Sequence, residues 1–369
     1  MLNLGADIKP EGISLKEAFS QMNKCFTLTI NGSDAYKKIR DTLIDAKESG
    51  STLRFLIPVF LASNEEFTFI GEGKLPKRPL KPYFDIFDEF KISYSKDQDN
   101  LPLKLRGPLK SGTYYLDGDI SSQFITGLLM ALPLLEGDSK IILTKKLESK
   151  SYVDLTLDVL NSFGIKIKNK NYDEFFITGS QKYVATNYEV EGDYSQGAFF
   201  IVAAAMGNDI KITGLNADSK QSDKVILGII KDIGESIITI DISECPDLLP
   251  VLAVLGCFHD GETRIINGKR VRLKECDRIH AMVIELGKLG ANIEETSDGV
   301  IIKGPSQLKG GICSSHNDHR IAMALSVASS ICSEKLILTD SKCINKSYPN
   351  FFDDFRVLGG KVYERNLGK

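Results

Sequence analysis

Hydrophobic and polar positions along this chain repeat as a unit. Five segments share a small polar or acidic start, an apolar run of helical length, a polar break and a short β-rich strand. They begin at Ser49 (SGSTLRFLIPVFLASNEEFTFIG), Gly118 (GDISSQFITGLLMALPLLEGDSKIILT), Gly192 (GDYSQGAFFIVAAAMGNDIKITG), Glu244 (ECPDLLPVLAVLGCFHDGETRIIN) and Asn317 (NDHRIAMALSVASSICSEKLILTD). Ser, Asp and Asn ahead of an apolar run are helix N-cap signals. The strings FTFI, KIIL, IKIT, TRII and KLIL predict strands. A second helix is expected after each strand, ending at Gly164 in NSFGIKI, Gly234 in KDIGESI, Gly290 in GKLGANI and Gly359 in RVLGGKV. A hairpin then follows, as in ANIEETSDGVIIKG, so the unit reads βαβαββ.

The spacing of the copies is uneven. With Phe69, Ile142, Ile212, Ile265 and Ile337 as strand markers, the steps are 73, 70, 53 and 72 residues. The short step lies between GESIITIDIS and CPDLL, where one strand runs almost directly into the next copy. The fourth repeat is therefore expected to lack a hairpin. At the other end, MLNLGADI (Met1 to Ile8) reads as the end of a second helix with its glycine, Gly5, which makes the first repeat incomplete. Five copies and a part predict an original six in an α/β fold.

Composition narrows the class. A length of 369 residues leaves room for two domains or three. A 42% hydrophobic and 26% charged content excludes disordered and fibrous classes and supplies material for full cores. Lys and Arg number 46 against 49 Asp and Glu, with no basic block, so nothing supports a nucleic-acid or anionic-membrane partner. The longest apolar stretches, Phe124 to Leu135 and Leu248 to Phe258, fall short of the ~20 residues of a spanning helix. The start carries no basic n-region or cleavage site. Cys25, Cys245, Cys257, Cys276, Cys313, Cys332 and Cys343 include no C-x-x-C pair, which predicts free thiols in a reducing cytoplasm. His259, His280 and His316 lack metal-ligand spacing.

Candidate chemistry gathers at the helix starts. Ser49, Gly50, Ser51 and Thr52 lead into Arg54. Ser121, Ser122 and Gln123 open one run, and Ser195 with Gln196, Asp247, and Asp318 with His319 and Arg320 open others. A helix N-terminus presents unpaired N–H groups and about half a positive charge, which favours phosphate or carboxylate. Capping alone accounts for any single Ser or Asp there. Arg54 and Arg320 sit inside apolar runs, where a guanidinium is costly unless it is paired or faces a cleft. KRVRLKECDR (Lys269 to Arg278) reads by default as a solvated helix start, and Arg78 and Lys346 sit in proline-containing turns.

Nine strings in order carry a resemblance: ESGSTLRF, KRPL, GDISSQF, ESKSYVDLTL, GDYSQGAFF, CPDLLP, RLKECDRI, NDHRIAM and NKSYP. From about Ser49 onward the chain resembles the enolpyruvyl transferases, most closely the 5-enolpyruvylshikimate-3-phosphate synthase family. The resemblance implies two similar domains, residues 1–190 and 191–369, built of βαβαββ units around a pseudo-threefold axis as an inside-out α/β barrel. The active site is then expected in the cleft where helix N-termini converge. It implies transfer of the enolpyruvyl group of phosphoenolpyruvate to the 5-hydroxyl of shikimate 3-phosphate, in the shikimate pathway to aromatic amino acids. It further implies a cytoplasmic monomer with no metal or organic cofactor.

Site roles follow from the same resemblance. Ser121, Ser122 and Ser149 hold the phosphate of shikimate 3-phosphate, with Gln123, Tyr152, Asp247 and Lys274 on the same ligand. Asp247 holds and deprotonates the 5-hydroxyl. Arg78, Arg278, Arg320 and Lys346, with Gln123 and the Gly50 backbone, clamp phosphoenolpyruvate. Lys274 and Glu275 handle protons at the enol methylene and the hydroxyl. Forked arginine donors suit carboxylate and phosphate, and a proton placed on carbon needs an acid–base group within hydrogen-bond reach.

The SSQ, KECDR and NDHR strings separate the chain from the UDP-N-acetylglucosamine enolpyruvyl transferases, which share the repeat. The family's opening Lys-Ser…Arg motif has no counterpart, and Arg270 stands where some relatives place a polar, shikimate-contacting residue. One missing charged donor costs about two orders of magnitude in rate. Little or no turnover from this chain alone is therefore expected, along with an unpaired strand edge in the C-terminal domain. The alternative of another class is a non-catalytic remnant that binds phosphorylated ligands.

Overall fold

The computed structural model describes residues 6–12, 27–32 and 39–364. The chain divides into two compact units, Met1–Glu189 and Val190–Lys369. Gly5, taken above as a helix-ending glycine, lies outside the described residues, as does Cys25. Asp7, by contrast, opens a strand.

In the first unit, β1 (Asp7–Pro10) pairs antiparallel with β2 (Leu28–Asn31). One full βαβαββ copy follows: β3 (Leu43–Asp45), α1 (Gly50–Leu61), β4 (Glu66–Ile70), α2 (Lys81–Phe90), β5 (Ser93–Lys96) and β6 (Leu103–Arg106). The next copy is β7 (Thr113–Asp117), α3 (Ser122–Ala131), β8 (Ser139–Lys145), α4 (Lys150–Ser162), β9 (Ile167–Lys170) and β10 (Glu174–Ile177). Their sheets run β3-β4-β6-β5 and β7-β8-β10-β9. In each, the first two strands are parallel, with Ile44 opposite Phe69 and Tyr114 opposite Ile141, and the remaining pairs are antiparallel. A parallel pair needs a crossover, which the first helix supplies, whereas the last two strands close as a hairpin.

The second unit opens with α5 (Tyr194–Ala205) and the four-residue α6 (Ile226–Ile229), flanked by 3₁₀ turns. A third full copy follows in β11 (Ile237–Asp241), α7 (Leu249–Phe258), β12 (Glu262–Ile266), α8 (Arg278–Lys288), β13 (Ile293–Glu295) and β14 (Val300–Lys303), with order β11-β12-β14-β13. The last elements are β15 (Gly311–Ser314), α9 (His319–Ala328), β16 (Leu336–Thr339) and α10 (Phe351–Val357). β15 and β16 form a parallel pair.

Two expected elements differ. IKIT, residues 210–213, is not a strand. A strand needs a ladder partner, none faces it among the described residues, and Ile210 N instead donates locally to Asn208 O at 2.9 Å. The helix expected before Gly234 is reduced to α6 and its flanking turns, and β11 then opens the next sheet with no hairpin between. Gly164, Gly290 and Gly359 do follow their helices, with φ of 84°, 103° and 97°.

The capping pattern is observed at the helix starts. Ser49, Ser121, Asp193 and Asp318 accept from backbone N–H groups of the first turns of α1, α3, α5 and α9. α7 instead enters through the 3₁₀ turn Pro246–Leu248. Each unit has its own apolar core. α7 is buried almost all round, as its uniform apolarity requires, and α9 is buried along its length although it carries His319 and Arg320. Among the described residues no helix is long and apolar enough to cross a membrane.

Candidate active site

In the first unit a proline and a glycine position the charged groups. Pro58 has no N–H, so the Arg54 carbonyl lacks its helical donor, and Tyr83 Oη donates to it at 2.5 Å. Gly127 of α3 lets this backbone pass: a Cβ there would stand 2.4 Å from both Arg54 O and Tyr83 Oη. The Arg54 side chain consequently crosses the start of α3. Nη1 donates to Gln123 Oε1 at 2.6 Å, Nη2 donates to Pro79 O at 2.9 Å, and the guanidinium lies 5.0 Å from the Phe124 ring centre. Gln123 Nε2 donates in turn to Ser51 Oγ at 2.8 Å.

Arg78 joins this group. A Cβ on Gly50 would lie 3.1 Å from Arg78 Nη1 and 3.3 Å from Arg54 Nη1. Two guanidinium groups thus meet over the N-terminus of α1, an arrangement whose mutual repulsion an anion relieves. The neighbouring segments are tied to one another. Glu148 N donates to Gly118 O at 3.1 Å, and the Thr126 and Thr156 hydroxyls lie 3.0 Å apart. The starts of α3 and α4 are therefore adjacent, bringing Ser121, Ser122 and Gln123 alongside Ser149 and Tyr152. Ser149 is buried with φ of 57°.

In the second unit the organising group is Arg278, whose side chain is 1% exposed. Nε donates to Asp318 Oδ2 at 2.7 Å, Nη1 to Asp247 Oδ1 at 2.7 Å and Nη2 to Glu275 Oε2 at 2.8 Å. Asp318, 0% exposed, also caps α9 through Arg320 N at 2.8 Å. Asp247 is shared further, with Lys274 Nζ at 3.3 Å and Arg320 Nη2 at 3.1 Å. Burial alone would raise the Asp247 pKa, but Arg320, Lys274 and Arg278 hold it well below the usual carboxylate range. Lys274 and Glu275, adjacent in sequence, both reach this cluster because they lie at the end of a 3₁₀ turn and not within a helix. Lys346 Nζ donates to Asn317 O at 2.6 Å, immediately before α9.

The sequence profile of the EPSP synthase (3-phosphoshikimate 1-carboxyvinyltransferase) family matches residues 14–239 and 234–355. A 3-phosphoshikimate 1-carboxyvinyltransferase of Clostridium novyi (strain NT) is 48% identical over 385 residues, covering 100% of this chain and 87% of that protein. One of Clostridioides difficile (strain 630) is 51% identical over 343 residues, covering 88% of this chain and 78% of that protein. The chain belongs to the EPSP synthase family. A solved EPSP synthase of Acinetobacter baumannii has a similar fold, with a TM-score of 0.77 at 23% identity over 97% of this chain and 86% of that one.

The residues singled out from the EPSP synthase strings fall into these two clusters. Gly50, Arg78, Ser121, Ser122, Gln123, Ser149 and Tyr152 lie in the first. Asp247, Lys274, Glu275, Arg278, Arg320 and Lys346 lie in the second. Arg278, expected on a ligand, is engaged by three carboxylates, those of Asp318, Asp247 and Glu275. Arg270, flagged above, donates to Ser243 O at 2.7 Å.

Sequence reasoning assigned no role to three further groups. Arg54 was marked only as a costly charge. Asp223 is buried, and burial followed by the Asp247 charge pushes it up to about 6. His319 is buried, its Nδ1 makes no hydrogen bond, and burial followed by the Arg320 charge lowers it to about 4, so its imidazole is neutral. The NDHR string held the signal for His319. Nothing local marked Asp223. Among the described residues, no three His, Cys, Asp or Glu side chains are grouped to hold a metal ion.

Proposed function

We propose that the chain transfers the enolpyruvyl group of phosphoenolpyruvate to the 5-hydroxyl of shikimate 3-phosphate, as a cytoplasmic monomer of the shikimate pathway. The two units are read as the two enolpyruvyl-transferase-type domains, residues 1–190 and 191–369. The observation that carries the reading is the cluster Asp247–Lys274–Arg278–Arg320, assembled from CPDLLP, KECDR and NDHR in a chain of this family.

In the first unit, Ser121, Ser122 and Ser149 take the phosphate of shikimate 3-phosphate, aided by Gln123 and Tyr152. Arg78 and the Gly50 backbone take phosphoenolpyruvate, with Gln123 beside them. In the second unit, Asp247 accepts the hydrogen bond of the 5-hydroxyl, and Lys274 and Glu275 serve the proton transfers. Arg278, Arg320 and Lys346 meet the charge of phosphoenolpyruvate, and Arg278 also fixes the three carboxylates.

Chemically, the 5-oxygen bonds to the central carbon of phosphoenolpyruvate while a proton is added to its methylene. Phosphate then leaves, and a proton lost from the resulting methyl group restores the double bond. The cluster links binding to basicity. Arg320 and Lys274 pair with Asp247 and keep it a weak base. An anionic substrate that draws these cations away raises the basicity of Asp247 at the moment its hydroxyl partner is present.

The test is phosphate release with each substrate alone and with both. The reading expects release that requires both, at whatever rate, and none when UDP-N-acetylglucosamine replaces shikimate 3-phosphate. Release supported by the nucleotide sugar but not by shikimate 3-phosphate would contradict it.

A further inference from the structure

Besides Asp223 and Asp318, the described residues of the second unit include one more buried carboxylate. Glu285, in the later turns of α8, is 0% exposed. Its carboxylate collects four hydrogen bonds. His316 Nε2 lies 2.7 Å from Oε1, Lys288 Nζ donates to Oε1 and Oε2 at 2.9 and 3.0 Å, and Ser314 N donates to Oε2 at 3.1 Å. Lys288 lies on the same helix, whereas His316 and Ser314 belong to the turn that leaves β15.

That turn is conformationally expensive. His316 and Asn317 are successive non-glycine residues with φ of 51° and 56°. Ser314 Oγ accepts from His316 N at 3.0 Å, and Ser315 Oγ accepts from Asn317 N at 3.2 Å. Asn317, Asp318 and Arg320 carry the site. Asn317 O receives Lys346 Nζ, Asp318 receives Arg278, and Arg320 pairs with Asp247. The turn is therefore held from one side by Glu285 and presents the site's cations on the other.

Stability alone gives little reason for such a group. Desolvation offsets most of the attraction in a buried ion pair, and an apolar residue of similar size is often as good. Burial raises the Glu285 pKa, but Lys288 and His316 outweigh it and keep the carboxyl ionised.

We propose that Glu285 is a positioning residue: through His316 and the Ser314 amide it fixes the turn that aims Arg320 and Lys346 at the charge of an anionic substrate. This rests on the proposed reaction for the identity of that substrate, phosphoenolpyruvate.

Two variants test it. Glu285→Gln removes the charge while keeping the shape. His316→Asn removes the bond to Glu285 at a partly exposed position, and Asn tolerates φ near 50°. For each, the affinity for inorganic phosphate is measured by calorimetry, and KM for each substrate by phosphate release. Misplaced cations should weaken phosphate binding and raise KM for phosphoenolpyruvate about tenfold. KM for shikimate 3-phosphate should move less than about twofold, and the double variant should be no worse than either single one. Inorganic phosphate affinity and KM for phosphoenolpyruvate both within about twofold of the parent would overturn the proposal, as would equal shifts for both substrates accompanied by a lowered Tm. If the parent releases no phosphate with both substrates, the reaction is what fails, and calorimetry with inorganic phosphate still decides the role of Glu285.

Discussion

Replacing Arg278 by Met isolates the contribution of the central guanidinium. The substitution keeps much of the side-chain volume and removes the charge-assisted bonds to Asp318, Asp247 and Glu275. Arg278 is 1% and Asp318 0% exposed, so water cannot replace the lost donor at Asp318. Asp247 keeps Lys274 and Arg320, and part of its charge remains compensated. Breaking a buried pair from one side costs about 3–5 kcal/mol, because a carboxylate is left desolvated and unpaired. For a unit of this size that corresponds to a fall in Tm of roughly 10 °C. The exposed pair Lys81–Asp85, at 2.6 Å with side chains 78% and 58% exposed, is the matched comparison. Lys81→Met should cost under about 1 kcal/mol despite the equally short contact. Thermal and urea unfolding of the two variants measure the difference. If Arg278→Met unfolds within about 1 kcal/mol of Lys81→Met, burial is not what gives this arginine its weight.

Two further outcomes are expected. Gly127→Ala forces a Cβ to within 2.4 Å of Arg54 O and Tyr83 Oη, so α1 and α3 must separate. The variant should lose about 1–3 kcal/mol in urea unfolding, and an unchanged midpoint would show that the helices have room there. Burial and then the Asp247 charge push Asp223 up to about 6, above the usual carboxylate range. The folded state thus holds this proton more tightly than the unfolded chain, and the group's contribution to stability falls as pH rises from about 4 to about 6. Asp223→Asn should therefore be more stable than the parent at pH 7, by up to about 3 kcal/mol, with the gain fading towards pH 4. A gain that grows towards acid pH would reverse the sign of this account.

The helix starts and most strands were legible because their causes are local. A Ser or Asp before an apolar run caps a helix wherever it folds, and Gly164, Gly290 and Gly359 terminate helices through a φ that few other residues adopt. IKIT failed because a β-branched string becomes a strand only when another strand lies beside it. The charged run KRVRLKECDR looked like solvated surface. Its arginine at 278 is instead among the most buried side chains, since its three carboxylate partners include Asp247 and Asp318, 31 and 40 residues away. Asp223 and Glu285 were silent for the same reason. A lone acidic residue carries no mark of the burial and distant donors that define it.

The central claim is that this chain adds a proton to the methylene of phosphoenolpyruvate while an oxygen of shikimate 3-phosphate bonds to the adjacent carbon. Incubation with both substrates in heavy water, followed by mass analysis of the product, tests it most directly. The account predicts a carboxyvinyl product carrying solvent deuterium on its terminal carbon. A product free of deuterium, or phosphate formed with no carboxyvinyl product, would contradict it.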